Sequence, residues 1–417
     1  MSDSPANTGL SRRGFLALLG AGGAGAAGLG MLTGCSSTPE EADLTYEFYG
    51  EHQAGIITPA QDRMHFAAFD IVADMNRDDV IELLRDWTYA ASRLTLGLGV
   101  TASGAFDSGP YLPPEDTGEA ADLPASGLTI TFGFGRSLFK DAEGKDRFNI
   151  ADKIPADFAP LPKMVNDFID PAMSEGDICV QACAHDPQVA VHAIRNLTRI
   201  AFGRAVLRWS QLGFGRTSST STTQKTPRNL FGQKDGTSNI KAEEPERLKE
   251  HVWINDGWAR GGTYLVARRI TMTIEVWDGV RLEEQERVTG RDKREGAPLS
   301  GGDEFTPPDF TATDDTGSLL IDERSHVARV HPDNNDGIAM MRRGYNFVDG
   351  NDTQGRLNAG LFFIAFVKAP GRFAKVHKNM ARDDMFIEYL KTTGSAVFLV
   401  PPGIQEGQYV GQQLFEA

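Results

Sequence analysis

Two kinds of segment alternate along this chain, and their order recurs, which restricts the fold more than any other feature. Residues 64–72 alternate between apolar and polar, residues 128–134 (L-T-I-T-F-G-F) do so strictly, and residues 177–184 form a third such run. A period of two reads as a strand. Residues 77–96 instead place Val80, Ile81, Leu84, Trp87 and Ala91 at helical spacing. A long helix is expected over residues 187–209, with Pro187 at its first position and Asp186 as its cap. Strand, helix, strand, strand, helix is the order of a ferredoxin-like α+β unit with an antiparallel sheet. The second half repeats it in part, with strands expected over 262–277, 361–367 and 396–400 and helices over 282–288 and 373–390. Two such units, one per half, fit a chain of 417 residues.

The N-terminus differs in kind from this body. Ser11-Arg12-Arg13-Gly14-Phe15-Leu16 precedes an Ala/Gly-rich apolar run to Leu32, with no acidic residue between Arg13 and Cys35. That order reads as a twin-arginine export signal, and Leu32-Thr33-Gly34-Cys35 is similar to a lipobox whose cysteine is acylated. The expected location is extracytoplasmic, as a cell-surface lipoprotein or a secreted protein, reached through the twin-arginine machinery. Gly23 to Gly28 match G-x-G-x-x-G, yet no strand precedes them, so a dinucleotide site is rejected. No run of eighteen apolar residues follows residue 40, and membrane attachment is expected only through Cys35. A net charge of -15 excludes a nucleic-acid partner, which would need clustered Lys and Arg. Cys179 and Cys183 lie four apart on an expected strand, about 13 Å, too far for a disulfide. They read as two small buried side chains on one face.

Four segments of the second half carry the chemistry. In the first, residues 229–239, glycines at 232 and 236 would turn the backbone tightly and hold Asp235 toward a flat ligand. Alone, such a G-x-x-D-G is more often a surface turn with a solvated aspartate. The second, S-H-V-A-R-V-H-P at 325–332, offers His326, since a neutral imidazole is an axial ligand for haem iron. His331 is the rival, but the proline after it suggests a turn. The third, residues 338–345, holds the paired Arg342 and Arg343 before Gly344 and Tyr345. The fourth, G-L-F-F-I-A-F at 360–366, is an apolar strand whose Phe363 would wall a haem pocket. Long irregular stretches at 213–236 and 290–325 adjoin these segments, and loops of such length are usually functional or disordered.

In their order and spacing these four segments resemble the dye-decolourising (DyP-type) haem peroxidases, over nearly the whole chain from residue 45. Residues 50–56 (G-E-H-Q-A-G-I) and 186–190 (D-P-Q-V-A) are similar to the branch exported by twin-arginine signals. The resemblance implies two ferredoxin-like units in a dimeric α+β barrel-like peroxidase fold, with haem b (iron protoporphyrin IX) in the C-terminal one. It implies hydrogen peroxide as oxidant and dyes, phenolics or metal ions as small electron donors, oxidised one electron at a time. Residues 1–35 are then the signal with its lipobox, 36–60 a tether and N-terminal loop, 61–215 the first unit and 216–417 the haem-binding second unit. His326 matches the proximal iron ligand, Asp235 the distal acid and Arg342 the distal arginine, with Arg343 as the alternative. Arg228 and Asn239 flank the acid and would meet a haem propionate. Asp383 or Asp384 would accept the second N–H of the proximal imidazole.

The residue types suit the reaction. Splitting an O–O bond heterolytically requires a group that moves a proton between the two oxygens, which a carboxylate does. It also requires a fixed positive charge for the hydroxide that begins to form, which an arginine keeps at any working pH. A carboxylate held ionised by a guanidinium remains a base in acid where an imidazole would be protonated, so an acidic optimum is expected. Trp209, Trp253, Trp258, Trp277, Tyr345 and Tyr389 are candidate relays for bulky donors. The rival function is extracytoplasmic haem binding with release of haem or its iron; it needs His326 but not the Asp235–Arg342 pair.

Overall fold

The computed structural model of the chain describes residues 44–416. The twin-arginine segment, Cys35 and residues 36–43 of the tether lie outside these residues.

In the first half, β1 (Arg63–Ile71), α1 (Arg77–Leu94), β2 (Thr129–Gly135), β3 (Ile178–Ala184), α2 (Pro187–Ile200) and β4 (Ala205–Arg216) follow one another. Asn76 caps α1 by accepting from the Asp78 and Asp79 amides, and Asp186 caps α2 in the same way from Gln188 and Val189. Helix α2 ends nine residues before Trp209, which lies on β4 instead. Gly203, at φ +79°, takes the left-handed turn that ends the helix, and the chain reverses into a strand. The strand supplies the missing fourth member, and the order becomes β4-β1-β3-β2.

The second half repeats that order. β5 (Thr263–Met272) stops short of Trp277, which sits on a one-turn helix, Ile274–Asp278. After α3 (Leu282–Thr289) and α4 (His326–Val330) come β6 (Met341–Arg342), β7 (Tyr345–Asn351) and β8 (Leu357–Val367). Helix α5 (Pro370–Asp383) ends at Asp384, and a short 3-10 turn, Met385–Tyr389, leads into β9 (Leu390–Val400). β5 lies between β9 and β8, and β8 pairs with β7, which gives β9-β5-β8-β7.

The two four-stranded sets do not form separate sheets. β2 joins β9 through Phe134–Leu399, and β4 joins β7 through Phe214–Asn346, so the strands form one antiparallel ring with β6 added along β8. Alternation on each strand sends one set of side chains into the ring. Met64, Phe66, Cys179, Cys183, Leu265, Phe362 and Phe398 meet there in a single apolar core. Both cysteines are free and buried. The other face of the first unit packs Phe69, Phe132 and Val180 against Leu83, Leu84 and Trp87 of α1 and Ile194 and Leu197 of α2. Burying each such side chain contributes about 1.5–3 kcal/mol.

Candidate active site

The G-x-x-D-G turn has the conformation its glycines were expected to allow. Gly232 and Gly236 sit at φ +76° and +86°, and a side chain at 236 would press on Ser218 at 3.0 Å. Between them the Asp235 amide donates to the Pro227 carbonyl, 2.9 Å, and Asn229 Nδ2 reaches Asp235 Oδ2 at 3.3 Å. Arg342 Nη1 donates to Asp235 Oδ1 at 3.0 Å. The Asp235 side chain is 15% exposed and that of Arg342 28%, so the pair is neither fully dry nor on the open surface.

Arg342 is held from behind. Asn239, buried, accepts from the Arg342 amide through Oδ1 at 2.7 Å and donates to the Arg342 carbonyl through Nδ2 at 2.9 Å. The amide thus copies the pairing of a neighbouring strand and fixes the backbone that aims the guanidinium. Arg343 points the opposite way. It is fully buried, donating to the Thr58 and Pro59 carbonyls and to Gln61 Oε1. Alternation along the chain therefore separates the two arginines, and only Arg342 lines the cavity. Arg343→Leu would strand those acceptors and is expected to lower unfolding free energy by about 3 kcal/mol. Denaturant unfolding of Arg343→Leu beside Arg342→Leu checks this; equal stability of the two would contradict it.

His326 occupies the first turn of α4, with Ser325 as cap. Its Nδ1 lies 2.8 Å from Asp384 Oδ2, and Asp384 Oδ1 accepts from the Phe386 amide at 2.8 Å. An ionised carboxylate only accepts, so Nδ1 carries the hydrogen and Nε2 keeps its lone pair. The Phe386 ring packs 4.9 Å from the imidazole. Asp383, the neighbour, points outward to Arg329 at 2.6 Å. His331 lies at the turn between α4 and the 3-10 segment Pro332–Asn334, and pairs with Asp333 at 3.5 Å. Burial holds its pKa below the ordinary histidine value.

His326, Asp235 and Arg342 all line one cavity of about 270 Å³, walled by Met340, Leu361 and Phe363. Two residues expected there are not brought to it. Arg228 is exposed and is taken up by the carbonyls of Gly232, Lys293 and Arg294, which tie two loops together. Asn239 is spent on the Arg342 backbone. Neither lines the cavity.

Others that sequence reasoning passed over do line it, among them Arg291, Gln233 and His377. His377 had a signal, since it follows Phe373 and Val376 on the apolar face of α5. Burial and then the Arg268 charge push it down to about 4, from an ordinary 6.5. Between those values the unfolded chain binds a proton that the folded chain refuses. Stability present above pH 6.5 is therefore lost as pH falls toward about 4, by up to about 3 kcal/mol for this group. His377→Leu is expected to flatten the fall in unfolding midpoint between pH 7 and pH 5; an unchanged slope would refute it.

An imidazole braced by a buried carboxylate, sharing a cavity with an acid–guanidinium pair, is the equipment of a haem peroxidase. The donor set fits that group. Among the described residues no cluster of three or more His, Cys, Asp or Glu is placed to hold a bare metal ion. An iron porphyrin brings four ligands of its own and asks for one imidazole. Gln233 Nε2 and His377 Nδ1 are buried at the cavity with no hydrogen-bond partner among the described residues, as expected where a group with polar edges belongs.

The chain belongs to the Dyp-type peroxidase family. Residues 53–215 match the family model for its N-terminal part and residues 226–405 that for its C-terminal part. It is 35% identical to a dye-decolorizing peroxidase of Thermobifida fusca, over 98% of each chain, and 32% identical to a deferrochelatase of Escherichia coli K12, over 90% of this chain and 89% of that one. The solved structure of ferric DtpA from Streptomyces lividans superposes with a TM-score of 0.83 at 38% identity, covering 91% of this chain and all of that one. The protein is therefore a peroxidase that uses hydrogen peroxide and small electron donors, with haem as its cofactor.

Proposed function

We propose that His326 is the iron ligand, that Asp235 is the proton-moving group and that Arg342 is its electrostatic partner. The observation that carries this is the Arg342–Asp235 ion pair at 3.0 Å in the cavity that also holds His326. When bound, haem supplies the iron at which peroxide is reduced and from which donors are oxidised. His326 Nε2 would hold that metal, with Asp384 Oδ2 fixing the tautomer and the orientation of the ring. An Asp235 carboxylate oxygen takes the proton from the inner peroxide oxygen and returns it to the outer one as that leaves. The Arg342 guanidinium fixes the Asp235 carboxylate through their 3.0 Å contact and offsets the charge on the departing oxygen. Met340, Leu361 and Phe363 keep bulk water from competing. The absorption spectrum of the purified protein before and after peroxide tests the assignment: a Soret band that changes on addition supports it, and no Soret band ends it.

A second reading, haem or iron release, is supported by the identity with the deferrochelatases. It needs His326 and makes no demand on Asp235 or Arg342, so the variants discussed below separate the two. We further propose export through the twin-arginine signal at residues 11–16 with acylation at Cys35, on the strength of the sequence pattern. Replacing Arg12 and Arg13 by lysine is expected to retain the protein in the cytoplasm, and Cys35→Ala to abolish labelling by a radioactive fatty acid. Export unchanged by the first or labelling unchanged by the second would reject the respective assignment.

A further inference from the structure

The loop between α1 and β2 is unlike the rest of the surface. Residues 94–114 carry one charged side chain, Asp107, where the chain's 24% of charged residues would place about five. Polar contacts with itself and with α2 hold the loop in shape. Arg93 donates to the carbonyls of Gly99 and Thr101 at 2.7 and 2.9 Å, and the buried Asp116 accepts from the Val100 and Gly118 amides at 2.9 and 2.7 Å. Arg199 of α2 donates to the Pro114 and Glu115 carbonyls. The apolar side chains turn outward instead: Phe106 is 78% exposed, Tyr111 96% and Leu112 67%, with Leu96 and Leu98 also exposed. Single exposed apolar residues are ordinary, but five between positions 96 and 112 mark a contact surface.

The place of the loop in the fold points to its partner. The described chain begins at Leu44, whose carbonyl accepts from the Gly127 amide at 2.7 Å. Two residues earlier, Ala125 packs on Gly97 at the foot of the loop, so closely that a β-carbon on Gly97 would stand 3.0 Å from the Ala125 nitrogen. Cys35 lies nine residues before Leu44, a tether that spans no more than about 32 Å. A compact body of about 370 residues is roughly 50 Å across. A lipid on Cys35 therefore keeps this side of the molecule, and not the opposite one, near a bilayer. The net charge of -15 gives no pull toward anionic lipid, which leaves apolar contact as the means of docking.

We propose that the loop at residues 96–112 seats Phe106, Tyr111 and Leu112 in the interfacial layer of the bilayer that holds the Cys35 lipid, and so fixes how the enzyme lies on the membrane. The proposal rests on acylation at Cys35. A lipid on a tether alone sets the distance to the bilayer and leaves the body free to swivel; a second, apolar contact on the folded body removes that freedom. Phenylalanine and leucine suit the boundary of the acyl chains, and the tyrosine ring suits the headgroup level, where its hydroxyl stays wet. The scarcity of charge in residues 94–114 spares the loop the cost of taking ionised groups out of water.

The test uses the full-length, acylated, haem-loaded protein on phosphatidylcholine vesicles. Cys179 and Cys183 are buried and acylation consumes the Cys35 thiol, so an added cysteine alone takes a nitrobenzoxadiazole label. A label on Tyr111→Cys should shift its emission to the blue on vesicles and lose intensity when doxyl-labelled lipid is included. One on Phe305→Cys, an exposed aromatic of the second half, should do neither. Adding Phe106→Asp and Leu112→Asp should abolish both changes at 111 while the protein still floats with the vesicles. A floating protein whose label at 111 is unshifted and unquenched, or whose label at 305 responds equally, overturns the proposal. So does a blue shift at 111 without vesicles, which would place a second copy on the loop. A protein that bears no acyl group and does not float strikes the acylation at Cys35 and the proposal with it, whereas an unquenched label on a floating protein strikes the loop contact alone.

Discussion

An Asp235→Ala enzyme will keep its Soret band and react with hydrogen peroxide about 10²–10⁴ times more slowly. Among the described residues the carboxylate has two side-chain partners and no third. Its Oδ1 meets Arg342 and its Oδ2 meets Asn229, and neither contact carries a strand or a helix. On the proposed assignment its loss therefore removes the proton carrier while leaving the cavity walls in place. Arg342→Leu should cost about 10²–10³, the usual effect of deleting one preorganised donor. Its backbone stays clamped by Asn239, so the strand will not move. Stopped-flow absorbance after mixing with peroxide reads both rates. Two variants as fast as the parent would show that these residues do not perform the proton transfer, and would favour the haem-release reading.

The second large effect is expected at His326. His326→Ala should purify with little haem and no normal Soret band, a greater loss than the roughly 10–100-fold that removal of a supporting hydrogen bond costs. Asp384→Asn supplies that smaller comparison, because it keeps the shape beside Nδ1 and removes the charge. The Asp384 side chain is fully buried, so its effect is not diluted by solvent. If instead His331→Ala lost haem and His326→Ala kept it, the ligand assignment would be wrong.

Much of this arrangement was legible in the residues, and the gaps have physical causes. The G-x-x-D-G turn and the α4 histidine were visible because glycine and imidazole have few alternative uses in that company. β4 was hidden because residues 205–209 follow an amphipathic helix without a proline; the lone Gly203 was the only sign of the reversal. β7 was hidden because its second half, Val348 to Asn351, is exposed along its whole length and runs Val-Asp-Gly-Asn, so it shows no alternation. Asp383 and Asp384 could not be told apart in sequence. They straddle the end of α5, where one residue decides which way a side chain faces, and Asp384 turns inward as the cap of the next segment. Arg228 misled because proximity to Asp235 in the chain says nothing about the loop carbonyls of residues 293 and 294, which reach it from afar.

The seams of the strand ring carry a last consequence. Each is short, with two residue pairs between β2 and β9 and two between β4 and β7. A polypeptide cut between the halves would lay bare two unpaired margins on each fragment, a known invitation to self-association. Both halves share one strand order, so either fragment expressed alone would find in a twin of itself the margins it had lost.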